Sequence, residues 1–362
     1  MNTELTKQFL EKLIDLAKRV NDTFSRPIQF MEVCGTHTTA ISKSGLRGLL
    51  CPHIELLSGP GCPVCVTDQA EIDTMIALAR IPNVTVATFG DMIRVPGTES
   101  TLEVERARGA NVEIFYSPMD TVLYAQDHKD REVVFLGVGF ETTAPAVAMS
   151  IVEARSKAVQ NYSVFSVHKI VPPAMRALLA DPELRLDGFI LPGHVCTITG
   201  RRAFDFISSE YRLPAVVAGF GPMDVMESLY LLMQQMLQDK AETVIGYRRL
   251  VHENGNIRAQ KVMEECFEIA DTPWRGFGVI PGSGLRLKPA FRAHDASARF
   301  PIEIKESSPP EGCSCGEVLK GKMKPNQCPL FSTVCTPSDP IGPCMVSSEG
   351  ACSAYYHYDV TA

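Results

Sequence analysis

Glu32-Val33-Cys34-Gly35-Thr36-His37-Thr38-Thr39-Ala40 and Gly137-Val138-Gly139-Phe140-Glu141-Thr142-Thr143-Ala144 superpose on a shared Thr-Thr-Ala, and each follows a β-branched run and opens a helix-like stretch. Two further pairs keep the order: Gly59-Pro60-Gly61-Cys62 with Leu191-Pro192-Gly193-His194, and Ala87-Thr88-Phe89-Gly90-Asp91-Met92 with Ala218-Gly219-Phe220-Gly221-Pro222-Met223. Three short matches in register point to a duplicated α/β unit. The competing reading is that Gly and Pro punctuate all strand ends alike.

Outward from these stretches the alternation continues. Short apolar runs at 28–33, 54–58, 84–88, 112–116, 133–138, 163–167, 188–191, 215–218 and 243–247 each end in a turn and precede a helical pattern. That is the signature of an α/β fold, and near-continuous apolar character predicts strands covered on both faces. In such sheets ligands bind outside the carboxyl ends of the strands, so the quoted turns are where chemistry is expected. If the duplication holds, corresponding turns of the two halves face one another.

The chain has 362 residues, enough for two or three domains, and a formal net charge of -7 with both signs interspersed, which argues against a nucleic-acid surface. The amino-terminal stretch sets Leu5, Phe9, Leu13, Leu16 and Val20 on one helical face between charged residues, as a docking helix does and a secretory signal does not. No apolar run reaches membrane-spanning length, and a cytoplasmic location is expected. Thiols are kept reduced there, which favours metal or redox roles for cysteine over structural disulfides.

Twelve cysteines are present, and six of them, Cys313, Cys315, Cys328, Cys335, Cys344 and Cys352, crowd the tail. They stand beside Gly312, Gly316, Pro325, Pro329, Pro337, Pro340 and Pro343, hence on turns, where thiols in number serve as ligands. Zinc, an iron–sulfur cluster and a disulfide framework are the options. A cluster needs four thiolates, and two spare cysteines suggest a thiol pair beside it.

Elsewhere, Cys34 ends a predicted strand at a helix start, where amides and the helix dipole favour a thiolate; the competing reading is a small buried cysteine that closes the strand. Its neighbour His37 could ligate, move protons or hold the turn. Cys62 and Cys65, spaced for a disulfide at a rigid turn before a helix expected over 68–80, read as a redox pair, with a metal half-site and an inert pair as the alternatives. His194 occupies the matching turn of the second half. Gly137-Val138-Gly139 lacks the third glycine of a dinucleotide turn. Asp91 and Arg94 are candidates for lining the cleft.

Together, Cys34-Gly35-Thr36-His37, Gly59-Pro60-Gly61-Cys62-Pro63-Val64-Cys65, Gly139-Phe140-Glu141-Thr142-Thr143-Ala144-Pro145, Leu191-Pro192-Gly193-His194-Val195 and Cys344-Met345-Val346-Ser347-Ser348-Glu349-Gly350 resemble the HypD family of hydrogenase maturation proteins. The resemblance implies two similar Rossmann-like α/β domains around a cleft and a small cysteine-rich [4Fe-4S] domain. The expected boundaries are 1–27 for a helix docking on the iron–sulfur part, 28–130 and 131–275 for the α/β domains, and 276–362 for the cluster domain.

The resemblance further implies a scaffold that, with HypC, holds the iron of the Fe(CN)2CO group of [NiFe] hydrogenases while HypE supplies cyanide. HypC would then link it to the hydrogenase large subunit. Cys34 would bind that iron with His37 beside it, Cys62 and Cys65 would form a redox-active disulfide, and His194 would face them. Cys313, Cys328, Cys335 and Cys352 would hold the cluster, with Cys315 and Cys344 as the nearby thiol pair. The alternatives are a free-standing iron–sulfur thiol-disulfide oxidoreductase and a zinc-stabilised binding module.

Overall fold

The computed structural model describes residues 3–304 and 306–359. Nine strands form two wholly parallel sheets. The first holds β1 (Ile28–Glu32), β2 (Ile54–Ser58), β7 (Gly188–Pro192), β8 (Ala215–Ala218) and β9 (Thr243–Ile245) in the order β2-β1-β7-β8-β9. The second holds β3 (Val84–Thr88), β4 (Asn111–Ile114), β5 (Glu132–Gly137) and β6 (Tyr162–Ser166) in the order β4-β3-β5-β6. Every residue of β3, β7 and β8 is buried, as their unbroken apolar sequences require once helices cover both faces.

The sheets interleave along the chain, which corrects the expected division at 130/131: that cut would separate β3 and β4 from β5 and β6, which share a sheet. The pattern is nonetheless a repeat. Strands β1 to β4 give their first pair to the first sheet and their second pair to the second, while β5 to β8 do the reverse, so β2-β1-β7-β8 mirrors β6-β5-β3-β4. Under this correspondence β1 matches β5, as the Thr-Thr-Ala pairing expects. The other two sequence matches are off by one strand, because the repeat pairs β2 with β6, β3 with β7 and β4 with β8. Gly-Pro turns had produced the false register.

The boundary at 276 is also corrected. It falls between β10 (Phe267–Trp274) and β11 (Gly278–Leu287), an antiparallel hairpin with a bulge between Ala270 and Thr272. Phe267, Leu285, Leu287 and Phe291 bury with Phe135, Val147 and Ile151 against the second sheet, so this segment belongs there and the cysteine-rich tail begins later.

Helix α1 (Thr3–Phe24) does not dock where expected. Its stripe of Leu13, Leu16, Ala17 and Val20 packs on the helix Pro222–Leu237 through Leu229, Leu232 and Met233, and Phe9 meets Tyr230 at 5.8 Å between ring centroids. An apolar stripe of this kind takes the widest complementary apolar face, and that face flanks the first sheet. Among the described residues no helix is long and apolar enough to cross a membrane.

One core joins all parts. Met31 and Phe189 of the first sheet, Val86 and Val134 of the second, and Cys315, Leu319, Cys344 and Met345 of the tail bury in a single cluster.

Candidate functional site

The first sheet reverses its strand order between β1 and β7, and at such a switch point the following turns splay apart and leave a crevice. Cys34 follows β1, Cys62 follows β2, His194 follows β7 and Phe220 follows β8, so four of the quoted turns gather on one carboxyl edge.

Cys34 is the N-cap of α2 (Gly35–Lys43), in extended conformation at φ -158° and ψ 125°. The Gly35 amide donates to the Gly61 carbonyl at 3.1 Å, which ties the Cys34 turn to the Cys62 turn. Beneath it lies the buried carboxyl of Glu32, which accepts from the Thr38 hydroxyl at 2.7 Å and from the Cys34 amide at 3.4 Å. Burial raises Glu32 to about 7, against the pull of Ser58, Thr38 and Arg47.

The thiolate expected at Cys34 is corrected. Burial, with the Glu349 carboxylate nearby, pushes the thiol up to about 12, and the amides of Thr36 and His37 only partly oppose this. A dipole at a helix start is outweighed by loss of solvent.

His37 is fully buried, and its Nε2–H donates to the Gly219 carbonyl at 2.9 Å. That bond leaves Nδ1 as an acceptor, and Nδ1 has no hydrogen-bond partner. Burial lowers the ring to about 4, so it is neutral and its lone pair is available. His37 and His194 both stack on Phe220, at 4.6 and 3.9 Å between centroids, which places Phe220 between the two imidazoles. Burial also lowers His194, with Glu349 opposing.

Cys62 and Cys65 bring their sulfurs to 2.26 Å, a disulfide distance, across the single helical turn Pro63–Val66. The helix Gln69–Ala79 follows, capped reciprocally by Asp68 and Glu71, in close agreement with the expected 68–80. The turn Pro63–Val66 packs on two short tail helices, Cys315–Leu319 and Pro343–Val346, which carry Cys315 and Cys344.

The tail cysteines converge. Cys313, Cys315, Cys328, Cys335 and Cys352 line one small pocket with Val318, Leu330, Phe331 and Met345. The Cys313 and Cys315 sulfurs are 3.3 Å apart, and Cys344, fully buried behind them, hydrogen-bonds Cys315 and Cys352. Bonds with Cys315 first and Cys344 second hold Cys352 down at about 6, while those of Cys344 with Cys315 and Cys352 push it well above the usual thiol range. Gly342 keeps the pocket open, since a Cβ there would lie 2.6 and 2.7 Å from the Cys313 and Cys315 sulfurs.

Among the described residues no group of three or more His, Cys, Asp and Glu is set to hold a single metal ion. A pocket ringed by thiols, kept clear by a glycine and given an Ile341 N–H donor at 3.4 Å from the Cys335 sulfur does suit a polynuclear cluster, whose ligands stand further apart.

The tail is fastened to the Cys34 edge. The Thr36 hydroxyl donates to Glu349 at 2.7 Å, the Thr39 hydroxyl to the Ser348 carbonyl at 3.1 Å, and Arg94 to the Pro337 carbonyl at 2.6 Å. Arg94 thus clamps the tail, and Asp91 accepts from Ser347 at 3.4 Å.

Several site residues were visible in the sequence only as motif letters without a role. Glu141 is buried and raised to about 7 by burial; its Oε1 accepts from the Val171 amide at 3.0 Å and its Oε2 has no partner. Cys196 is fully buried within the fields of Glu141 and Cys34. Phe220 and Glu349 complete the set.

A family model described as "Hydrogenase formation hypA family", HypD, matches residues 5–359. The chain is 44% identical over 356 residues to the hydrogenase maturation factor HypD of Escherichia coli K12, covering 98% of this chain and 95% of that protein. It is 44% identical over 362 residues to that of Rhodobacter capsulatus, covering 98% and 95%. A putative hydrogenase expression/formation protein of Methanocaldococcus jannaschii is 41% identical over 355 residues, covering 98% and 97%.

Proposed function

Because the chain belongs to the HypD family of hydrogenase maturation factors, we propose that it is the scaffold on which the iron of the Fe(CN)2CO group is held and decorated. HypC shares that iron and HypE delivers the cyanide. The observation that carries this reading is the pairing of a buried, protonated Cys34 thiol with the partnerless Nδ1 of neutral His37 on the same turn. A thiol raised to about 12 becomes a ligand only as an incoming cation displaces its proton to solvent, so the site stays silent until iron arrives. Soft thiolate and imidazole suit an iron that carries cyanide and carbonyl.

The disulfide of Cys62 and Cys65 lies beside this turn and against the tail helices, a place from which electrons could pass between the two centres. Cys313, Cys328, Cys335 and Cys352 would hold a [4Fe-4S] cluster, which supplies one-electron chemistry when bound. Cys315 and Cys344 form the adjoining thiol pair.

The test is anaerobic co-purification with HypC followed by infrared spectroscopy. Cys34→Ser should abolish the cyanide and carbonyl bands while the visible absorption of the tail remains. Bands of full intensity in that variant would overturn the assignment. Reduction of a generic disulfide by the chain alone, without HypC, would favour the thiol-disulfide oxidoreductase instead.

A further inference from the structure

Arg275 follows β10 and is only 6% exposed. Its amide donates to the Val66 carbonyl at 2.9 Å, its Nε to the Thr67 carbonyl at 3.1 Å and its Nη1 to Gln69 Oε1 at 3.0 Å. None of these partners carries a charge, and Nη2 is buried with no partner at all. Burying a guanidinium against neutral groups alone is costly, and a native fold keeps such an arrangement where a counter-charge is to be supplied.

What stands nearby is the cysteine turn. Gly276 lies against Gly316, where a Cβ on Gly276 would come within 2.6 Å of the Gly316 Cα, so the backbone after Arg275 touches the residue after Cys315. Arg275 therefore stands between the Cys62–Cys65 turn, which it holds through Val66, Thr67 and Gln69, and the Cys313 turn.

We propose that Arg275 is a positioning residue for the tail centre: its guanidinium is the fixed counter-charge of the thiolate-bound cluster, and it holds that charge on the same segment that carries Cys62 and Cys65. The proposal rests on the reading of the tail as a [4Fe-4S] site. A cluster with four thiolate ligands is anionic and gains a further negative charge on reduction, so a desolvated cation on the segment packed against its cysteine turn favours the reduced form. Arg275 thereby sets how readily the cluster accepts an electron, and the segment it grips lies next to the disulfide.

The experiment uses the full chain, purified anaerobically, as wild type and as Arg275→Gln, Arg275→Met and Arg275→Lys. Iron and sulfide are assayed, and the cluster is titrated against a graded potential with dithionite as reductant. Gln and Met should bind cluster yet show a reduced-to-oxidised ratio at least tenfold lower at the wild-type midpoint, a fall of about 59 mV for a one-electron couple. Lys should titrate close to wild type.

Cluster retained by Lys but lost from both Gln and Met would also support the counter-charge. The proposal is overturned if Gln and Met titrate with the wild type, or if Lys shifts or loses cluster as they do, which would make the role one of packing. Absence of iron and sulfide from the wild type would instead bring down the cluster reading itself, and this proposal with it.

Discussion

A side-chain carbon added to Gly61 would lie 2.2 Å from the backbone nitrogen of Cys34, so the turn after β2 rests directly on the turn after β1. The Gly35 to Gly61 hydrogen bond runs through the same contact. The thiol edge is therefore built by two backbones in mutual contact, with no side chain between them.

Gly61→Ala should force these turns apart. Overpacking of this kind costs about 1–3 kcal/mol, and the expected outcome is a lower midpoint in urea together with faster alkylation of Cys34. An unchanged midpoint with Cys34 still unreactive would show that the contact relaxes freely.

Cys328→Ala and Cys335→Ala should each remove bound iron and sulfide and the broad visible absorption. Tail order should fall with them, since a metal centre supplies folding energy to a segment of turns. Far-ultraviolet circular dichroism should change little, because the sheets hold cores of their own in Leu56, Ile190 and Leu229 and in Phe135, Val147 and Ile151. Iron and sulfide at wild-type levels in both variants would rule out these ligands.

Glu141 titrates near 7 in the folded chain, raised from the ordinary 4.5 by burial. Its contribution to stability is fully present below 4.5 and is lost as pH rises through 7. The loss across that window is about 2–3 kcal/mol. His37, lowered to about 4, acts in the opposite sense and loses its contribution as pH falls from 6.5 through 4. Comparing wild type with Glu141→Gln cancels the histidine and leaves the carboxyl. The variant should gain on the wild type by that amount between pH 5 and pH 8 in urea titrations; parallel pH profiles would refute the assignment.

The strands of both sheets were legible because each is a short apolar run closed by a turn, and Cys34, Cys62, Cys65 and His194 were legible because those turns are the carboxyl ends of strands. Sheet membership was not. Nothing in the residues of β2 distinguishes pairing with β1 alone from pairing with β3, and only the finished topology does. The hairpin β10–β11 escaped notice because Pro273, Pro281, Gly278, Gly282 and Gly284 interrupt its pattern. The protonated state of Cys34 was hidden for another reason: a helix start is local and visible, whereas burial and the approach of Glu349 come from 315 positions away in sequence. Arg275 gave no signal, since an arginine near a glycine reads as an ordinary turn.

The exchange of strand pairs between the sheets sets an order of events during synthesis. All four strands of the second sheet, β3 to β6, leave the ribosome consecutively and can pair at once. Strand β1 can pair with β2 but not on its other side: its neighbour β7 contacts it through Phe30 and Gly188, and that partner is made only after the entire second sheet. At about 5–20 residues per second the β1 edge waits on the order of ten seconds. For that interval the Cys34 turn is attached to an incomplete sheet, with the histidine and phenylalanine that will cover it still untranslated. The Cys34 thiol is thus exposed first and enclosed last.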